Sequence, residues 1–245
     1  MKQQLYRYTA PGAKQIAPVN AEAERATHLL IAGTTGSGKS NALCGMIDHL
    51  VSVTTAATLN LVLIDPKMVE LNKYRALPHT IGYANTAEMT YRTLSALSVM
   101  MEERYREMMN AGQNQYQGRR IVVVIDELAD LMISPYKKQI KLELQHLLQL
   151  GRAAKITIWA ATQAPNRGII PADLVLNFTD RLALRCISPI ESRQIIGVKG
   201  AEELPKYGKG IYLSPDTGLH TVTVPLATQT ETVLKYYREH PPVAI

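Results

Sequence analysis

Apolar positions along this chain fall into two rhythms that take turns. Short, nearly continuous runs, at His28 to Ala32, Leu59 to Ile64, Ile121 to Ile125, Ile156 to Ala161 and Arg181 to Leu184, have the length of strands. They scarcely alternate with polar residues, as expected of strands covered on both faces. Between them, Lys39 to Val53, Ala87 to Asn110 and Lys137 to Arg152 repeat apolar residues at helical spacing. Strand and helix in alternation predict an α/β fold with a largely parallel central sheet flanked by helices. Gly210 to Leu213 and Thr221 to Pro225 read as added edge strands, and Trp159 reads as core. In the middle helix, Glu102, Glu103, Arg104 and Arg106 are expected on the outer face, and Met100, Met101, Met108 and Met109 as core filler. Residues 1–27 read as a short polar extension, 28–240 as one domain and 241–245 as a flexible tail.

Composition changes this picture little. A chain of 245 residues, 46% hydrophobic, has enough apolar material for one substantial core. Lys and Arg number 27 against 21 Asp and Glu, a formal charge of +6 that leans toward a polyanionic partner without requiring one. The two cysteines, Cys44 and Cys186, lie far apart in apolar surroundings without metal-ligand spacing, so they read as buried thiols. No run approaches the roughly 18 apolar residues of a membrane span, and the N-terminus leads into no signal-peptide core. The expected location is cytoplasmic.

The chemistry is concentrated at strand ends. Gly33-Thr34-Thr35-Gly36-Ser37-Gly38-Lys39-Ser40 fits G-x-x-x-x-G-K-S and lies directly after one predicted strand and directly before a helix. Glycines let successive backbone N–H groups face phosphates, and the helix adds the positive end of its dipole. Lys39 is expected on the β- and γ-phosphates of ATP and Ser40 on Mg2+. The buried run Ile121 to Ile125 ends in Asp126-Glu127, where Asp126 would face the same magnesium and Glu127 would polarise the attacking water. Thr162-Gln163 ends the next strand, placing Gln163 either to sense the γ-phosphate or to stabilise its loop.

With these pieces in hand, the chain resembles the FtsK/SpoIIIE DNA translocases of the FtsK/HerA group. The resemblance is carried by the phosphate-binding loop, Asp65-Pro66-Lys67, Pro78-His79, Asp126 to Met132, and Gly151-Arg152-Ala153-Ala154. It continues through Ala161-Thr162-Gln163, Glu191-Ser192-Arg193 and Gly200-Ala201-Glu202. It implies a RecA-like motor that assembles as a homo-hexameric ring and moves double-stranded DNA using ATP, the activity used in chromosome segregation. It also implies that Arg152 acts as a finger in a neighbouring subunit's site, where a guanidinium would stabilise charge on the transferring phosphoryl group. A helix C-terminal charge or a surface ion pair is the plainer role for Arg152. Arg181 and Arg193 match further family arginines.

The chain also departs from that pattern. Only 32 residues precede Gly33, and neither a membrane-anchor region nor a winged-helix module is visible. The expectation is a minimal protein of this type or an excised motor core, with room for a membrane-anchored partner. Relatives tend to follow Ala-Thr-Gln with a pore-facing arginine. Here that position is Ala164, and Arg167 is expected to take over the DNA contact. Competing readings are a coupling or packaging ATPase of a mobile element or virus, a protein-secretion ATPase, and a scaffold that binds ATP without turnover.

Overall fold

Strands that are apolar on nearly every residue need cover on both faces, and the fold supplies it. The computed structural model describes residues 18–163, 165, 166 and 168–239. Its elements begin with α1 (Val19–Arg25), β1 (His28–Ala32), α2 (Lys39–Val53), β2 (Leu59–Ile64), β3 (Thr80–Ala84) and α3 (Ala87–Asn110). Then come β4 (Arg120–Ile125), α4 (Leu128–Ile133), α5 (Lys137–Leu150), β5 (Ile156–Thr162) and α6 (Ala172–Asn177). The chain continues through β6 (Asp180–Ala183), α7 (Pro189–Ile196), β7 (Lys209–Ser214), β8 (Gly218–Thr223) and α8 (Thr230–Glu239). The strands form one sheet in the order β3-β2-β4-β5-β1-β6-β7-β8. The pairings from β3 across to β6 are parallel, and β7 and β8 are added antiparallel.

Successive side chains of a strand point to opposite faces, so each buried run feeds two cores at once. Leu29, Ile31, Val122, Val124 and Trp159 pack with α1, α2 and α8. Leu30, Ile121, Val123, Ile125 and Ile158 pack beneath α3, α4, α5 and α6. Truncating any one of these Leu or Ile side chains to Ala would cost about 2–5 kcal/mol. A smaller cluster of Ala32, Ala183, Cys186, Ile195, Ile196 and Ala201 lies under α7. Both cysteines are free and buried.

The fold departs from the sequence reading at several points. The polar stretch before residue 28 holds α1, whose Val19 and Ala23 are fully buried. The edge strand β3 was not expected. The run read as Arg181 to Leu184 starts one residue earlier, at Asp180, whose buried carboxylate accepts from Thr179 Oγ1 (2.9 Å) and Tyr212 OH (3.1 Å). The helix read to Arg152 stops at Leu150. At the next position, Gly151, an added Cβ would lie 2.4 Å from Leu147 O and 2.6 Å from Ile156 O, so the turn into β5 needs glycine there. Arg104 is not on the outer face: it is buried, donates to Ala154 O at 2.6 Å and lies 4.4 Å over the Tyr116 ring. Of the methionines, Met101 and Met108 are core while Met109 is exposed.

Candidate active site

Because β4, β5 and β1 are neighbours and parallel, their carboxyl ends bring residues 126–127, 163 and 33–40 to one edge of the sheet. The phosphate-binding loop is held tightly. Thr34 N–H donates to Arg185 O at 2.9 Å, and Ser37 N–H to Thr34 O at 3.1 Å. At Gly33 an added Cβ would lie 2.7 Å from Ser37 Oγ and 2.9 Å from Leu184 Cβ, so no side chain fits. Gly38 caps α2 with φ 96°, a left-handed conformation open to glycine at no steric cost. The Lys39 ammonium donates to Gly33 O (2.7 Å) and Thr34 O (2.9 Å), which folds the side chain back over the loop. Burial pulls its pKa down to about 8, opposed by the charges of Glu127 and Asp126.

Facing the loop are the two carboxylates. Burial, with Asp65, Glu70 and Glu127 nearby, pushes the Asp126 carboxyl up to about 6. Glu127 is 3% exposed and caps α4, accepting from Ala129 N–H at 3.2 Å. It also accepts from Gln163 N–H, at 3.2 Å on one oxygen and 3.1 Å on the other. The side chain of Gln163 reaches the opposite way and accepts from Thr35 Oγ1 at 2.8 Å. Gln163 thus connects the phosphate-binding loop to Glu127.

These residues fit ATP and magnesium. The Ser37 hydroxyl is buried without a protein partner among the described residues, beside a row of loop amides. Ser40 and Asp126 offer hard oxygen donors, and the burial and neighbouring carboxylates that raise the Asp126 pKa would be offset by a divalent cation. Among the described residues no three His, Cys, Asp or Glu side chains are grouped to hold a metal alone. Magnesium characteristically takes one or two carboxylates and completes its shell with phosphate and water.

Other motif residues have structural work. Asp65 is fully buried and accepts from Leu71 N–H (2.9 Å) and Asn72 N–H (3.2 Å), fixing the loop after β2. Lys67 pairs with Asp130 at 3.2 Å. Arg181 is committed to Phe178 O (3.1 Å) and Ile195 O (3.2 Å), whereas Arg193 is exposed. Arg167 lies outside the described residues.

Arg152 is exposed and stands at the amino edge of the sheet, in the turn between α5 and β5. It lines a cleft of about 660 Å³ with Arg25, Arg119, Arg120, Lys155 and Glu24. Arg120 is anchored there on Glu24 O (3.0 Å) and Thr157 Oγ1 (3.3 Å). The structure therefore does not bring Arg152 to its own chain's phosphate-binding loop. A feature invisible to sequence reasoning lies at that loop's other flank: Lys206 and Tyr207, delivered by the connection into β7, lie beside it, close enough that a side chain added at Gly36 or Gly38 would meet them.

Residues 14–118 match the FtsK/SpoIIIE family. The chain is similar to the DNA translocase FtsK of Staphylococcus epidermidis, 36% identical over 226 residues that make up 84% of this chain. It spans only 28% of the length of that relative, and 28% of the FtsK 1 translocase of Neisseria meningitidis. Among solved structures, the pCW3 conjugation coupling protein TcpA with ATPγS superposes with a TM-score of 0.75 at 20% identity, over 86% of this chain and 65% of that one. The cytoplasmic domain of the Thermomonospora curvata type VII secretion ATPase EccC gives 0.72 at 23% identity, over 88% and 28%. Those two likenesses are of fold. Among the described residues no helix is long and apolar enough to cross a membrane. With a P-loop ATPase fold, its strand-end carboxylates in place and this likeness to translocases along most of its length, the chain is similar to the FtsK/SpoIIIE family, whose match covers residues 14–118.

Proposed function

We propose that this chain is the ATP-hydrolysing motor of a DNA translocase, acting as a ring of identical subunits, six by family likeness, on double-stranded DNA. The observation that carries the reading is the connection from Thr35 through Gln163 to Glu127 across the loop that holds Lys39. Lys39 would leave its two carbonyl partners for the β- and γ-phosphates, and the loop amides would hold the rest of the triphosphate. Ser40 and Asp126 would hold magnesium, which supplies neutralising charge on the phosphate oxygens. Glu127 would accept the proton of the attacking water, in surroundings that are 3% exposed and low in dielectric. Gln163 would report the presence of the γ-phosphate from the loop to that carboxylate.

The position of Arg152 supports assembly. A basic cleft at the edge opposite the nucleotide can serve catalysis only in a neighbour's site, which head-to-tail packing in a ring would provide. DNA as the moved polymer rests on the curated relatives and the net positive charge. Arg167 is the proposed pore contact, through the phosphate backbone and without sequence preference. The test is the ATPase rate with and without duplex DNA across a protein dilution series. Turnover that is stimulated by DNA and falls steeply on dilution is expected. A rate indifferent to both would sink the reading.

A further inference from the structure

The sheet order gives the bound nucleotide a direction. Asp126, Glu127 and Gln163, proposed above to serve the γ-phosphate, follow the ends of β4 and β5, to one side of β1. The base must therefore leave the phosphate-binding loop on the other side, toward β6 and β7. The chain between α7 and β7 crosses the loop there. An added Cβ on Gly36 would lie 3.7 Å from Lys206 Cε, and one on Gly38 3.8 Å from Tyr207 Cδ1. Both residues are exposed, Tyr207 to 59%, with Lys206 Nζ 5.2 Å from the Tyr207 ring centroid. A large aromatic ring set against the backbone of a phosphate-binding loop, and outside every core cluster, is unexplained by packing.

The surroundings fix the backbone on either side of that ring. Gly208 O accepts from Val224 N–H at 3.0 Å, tying the segment to the end of β8. Just beyond, Asn41 in the first turn of α2 donates to Pro225 O (2.9 Å) and accepts from Ala227 N–H (2.8 Å). Leu226 between those anchors is 76% exposed. Upstream, Ser192 Oγ donates to Val198 O (2.7 Å) and accepts from Ala201 N–H (3.1 Å). Ala201 O in turn accepts from Cys186 N–H at 3.1 Å. The motif Glu191-Ser192-Arg193 with Gly200-Ala201-Glu202 is thus a scaffold that presents residues 206 and 207 to the phosphate-binding loop.

Resting on the nucleotide-binding reading above, we infer that Tyr207 is the wall on which the base of a nucleoside triphosphate stacks. Lys206 is a second cation for its polyphosphate. Stacking on an aromatic face is tolerant of base identity, so this wall confers affinity for nucleosides over bare phosphates and not a choice between purines. The probes are ATP, GTP and inorganic tripolyphosphate, each with magnesium, titrated calorimetrically into the whole chain and its variants.

Tyr207→Ala should weaken ATP and GTP by about ten- to a hundredfold and leave tripolyphosphate unchanged. Tyr207→Phe should restore both nucleotides, and Tyr207→Trp should give indole fluorescence quenched by ATP but not by tripolyphosphate. Lys206→Ala should weaken all three ligands. ATP affinity in Tyr207→Ala equal to the parent's overturns the assignment, as does an equal loss for tripolyphosphate, since that would mark a disturbed loop and not a lost stacking face. Lys39→Ala separates the two levels: retention of tripolyphosphate affinity there overturns the phosphate-binding reading itself, whatever Tyr207 does.

Discussion

Arg152→Ala tests whether one active site is divided between two copies of the chain. β5 runs for seven residues between the turn that holds Arg152 and Gln163 at the phosphate edge. At about 3.3 Å per residue that separates the two ends by roughly 20 Å, far beyond the reach of one arginine side chain. In the variant, each subunit should bind ATP with near-parental affinity while turnover falls by about a thousandfold or more. Mixing it with Lys39→Ala should recover activity, because an interface is complete when an Arg152→Ala subunit supplies the loop and a Lys39→Ala neighbour supplies the arginine. In random rings at equal input about one interface in four meets that condition, so the mixture should reach up to about a quarter of the parental rate per subunit. The assay is steady-state phosphate release from premixed subunits in the presence of duplex DNA. A mixture that never exceeds the sum of the two separate rates refutes the division of the site. An Arg152→Ala protein that turns over normally refutes any catalytic part for this residue.

Three further outcomes follow from the same geometry. Glu127→Gln should bind ATP and magnesium yet hydrolyse slowly, because an amide oxygen can still accept from Ala129 and Gln163 but cannot take the proton of water; loss of ATP binding in equilibrium titration would contradict this. Arg167→Ala should lower duplex affinity and flatten its salt dependence while basal ATPase persists, and an unchanged salt slope would remove it as a DNA contact. His28 is fully buried, with Nδ1 accepting from Ile158 N–H at 3.1 Å, and burial pulls its pKa from 6.5 down to about 4. The unfolded chain takes up a proton that the folded one refuses, so stability is fully present above pH 6.5 and falls by about 3 kcal/mol as the pH drops to 4. Denaturant unfolding of His28→Phe should show a flatter profile across that window, and an equally steep one would assign the loss elsewhere.

What was legible in the sequence was what local pattern encodes. β1, β2, α2 and α3 fall where the apolar periodicity puts them, since each is bounded by a sharp local signal such as Gly38 before α2 or Thr86 capping α3 through Met89 N–H. β3 was hidden because an edge strand reading Thr-Ile-Gly-Tyr-Ala, with Ile81 51% exposed, has no continuous apolar run. The start of β6 was hidden by Asp180, an acid whose burial is satisfied by two hydroxyls, one from the adjacent Thr179 and one from Tyr212 on the neighbouring strand. In the site, the phosphate-binding loop, Asp126 and Glu127 announce themselves by spacing and by their place at strand ends. Tyr207 does not, because its meeting with Gly38 depends on the long return through α6, β6 and α7. The burial of Arg104 was equally unreadable, since its partner Ala154 lies beyond α5.

The grip of Glu127 on the Gln163 amide bears on how the proposed motor would rest between turnovers. A carboxylate already accepting from two backbone N–H groups is held in one orientation, and those bonds must rearrange before its oxygens can turn to a water. Fuel alone need not loosen them. Gln163 is the last residue before the segment running on to α6, so tension on that segment would draw its amide away and free the carboxylate. In the translocase proposed above, the rate of hydrolysis would then follow the pull on that segment.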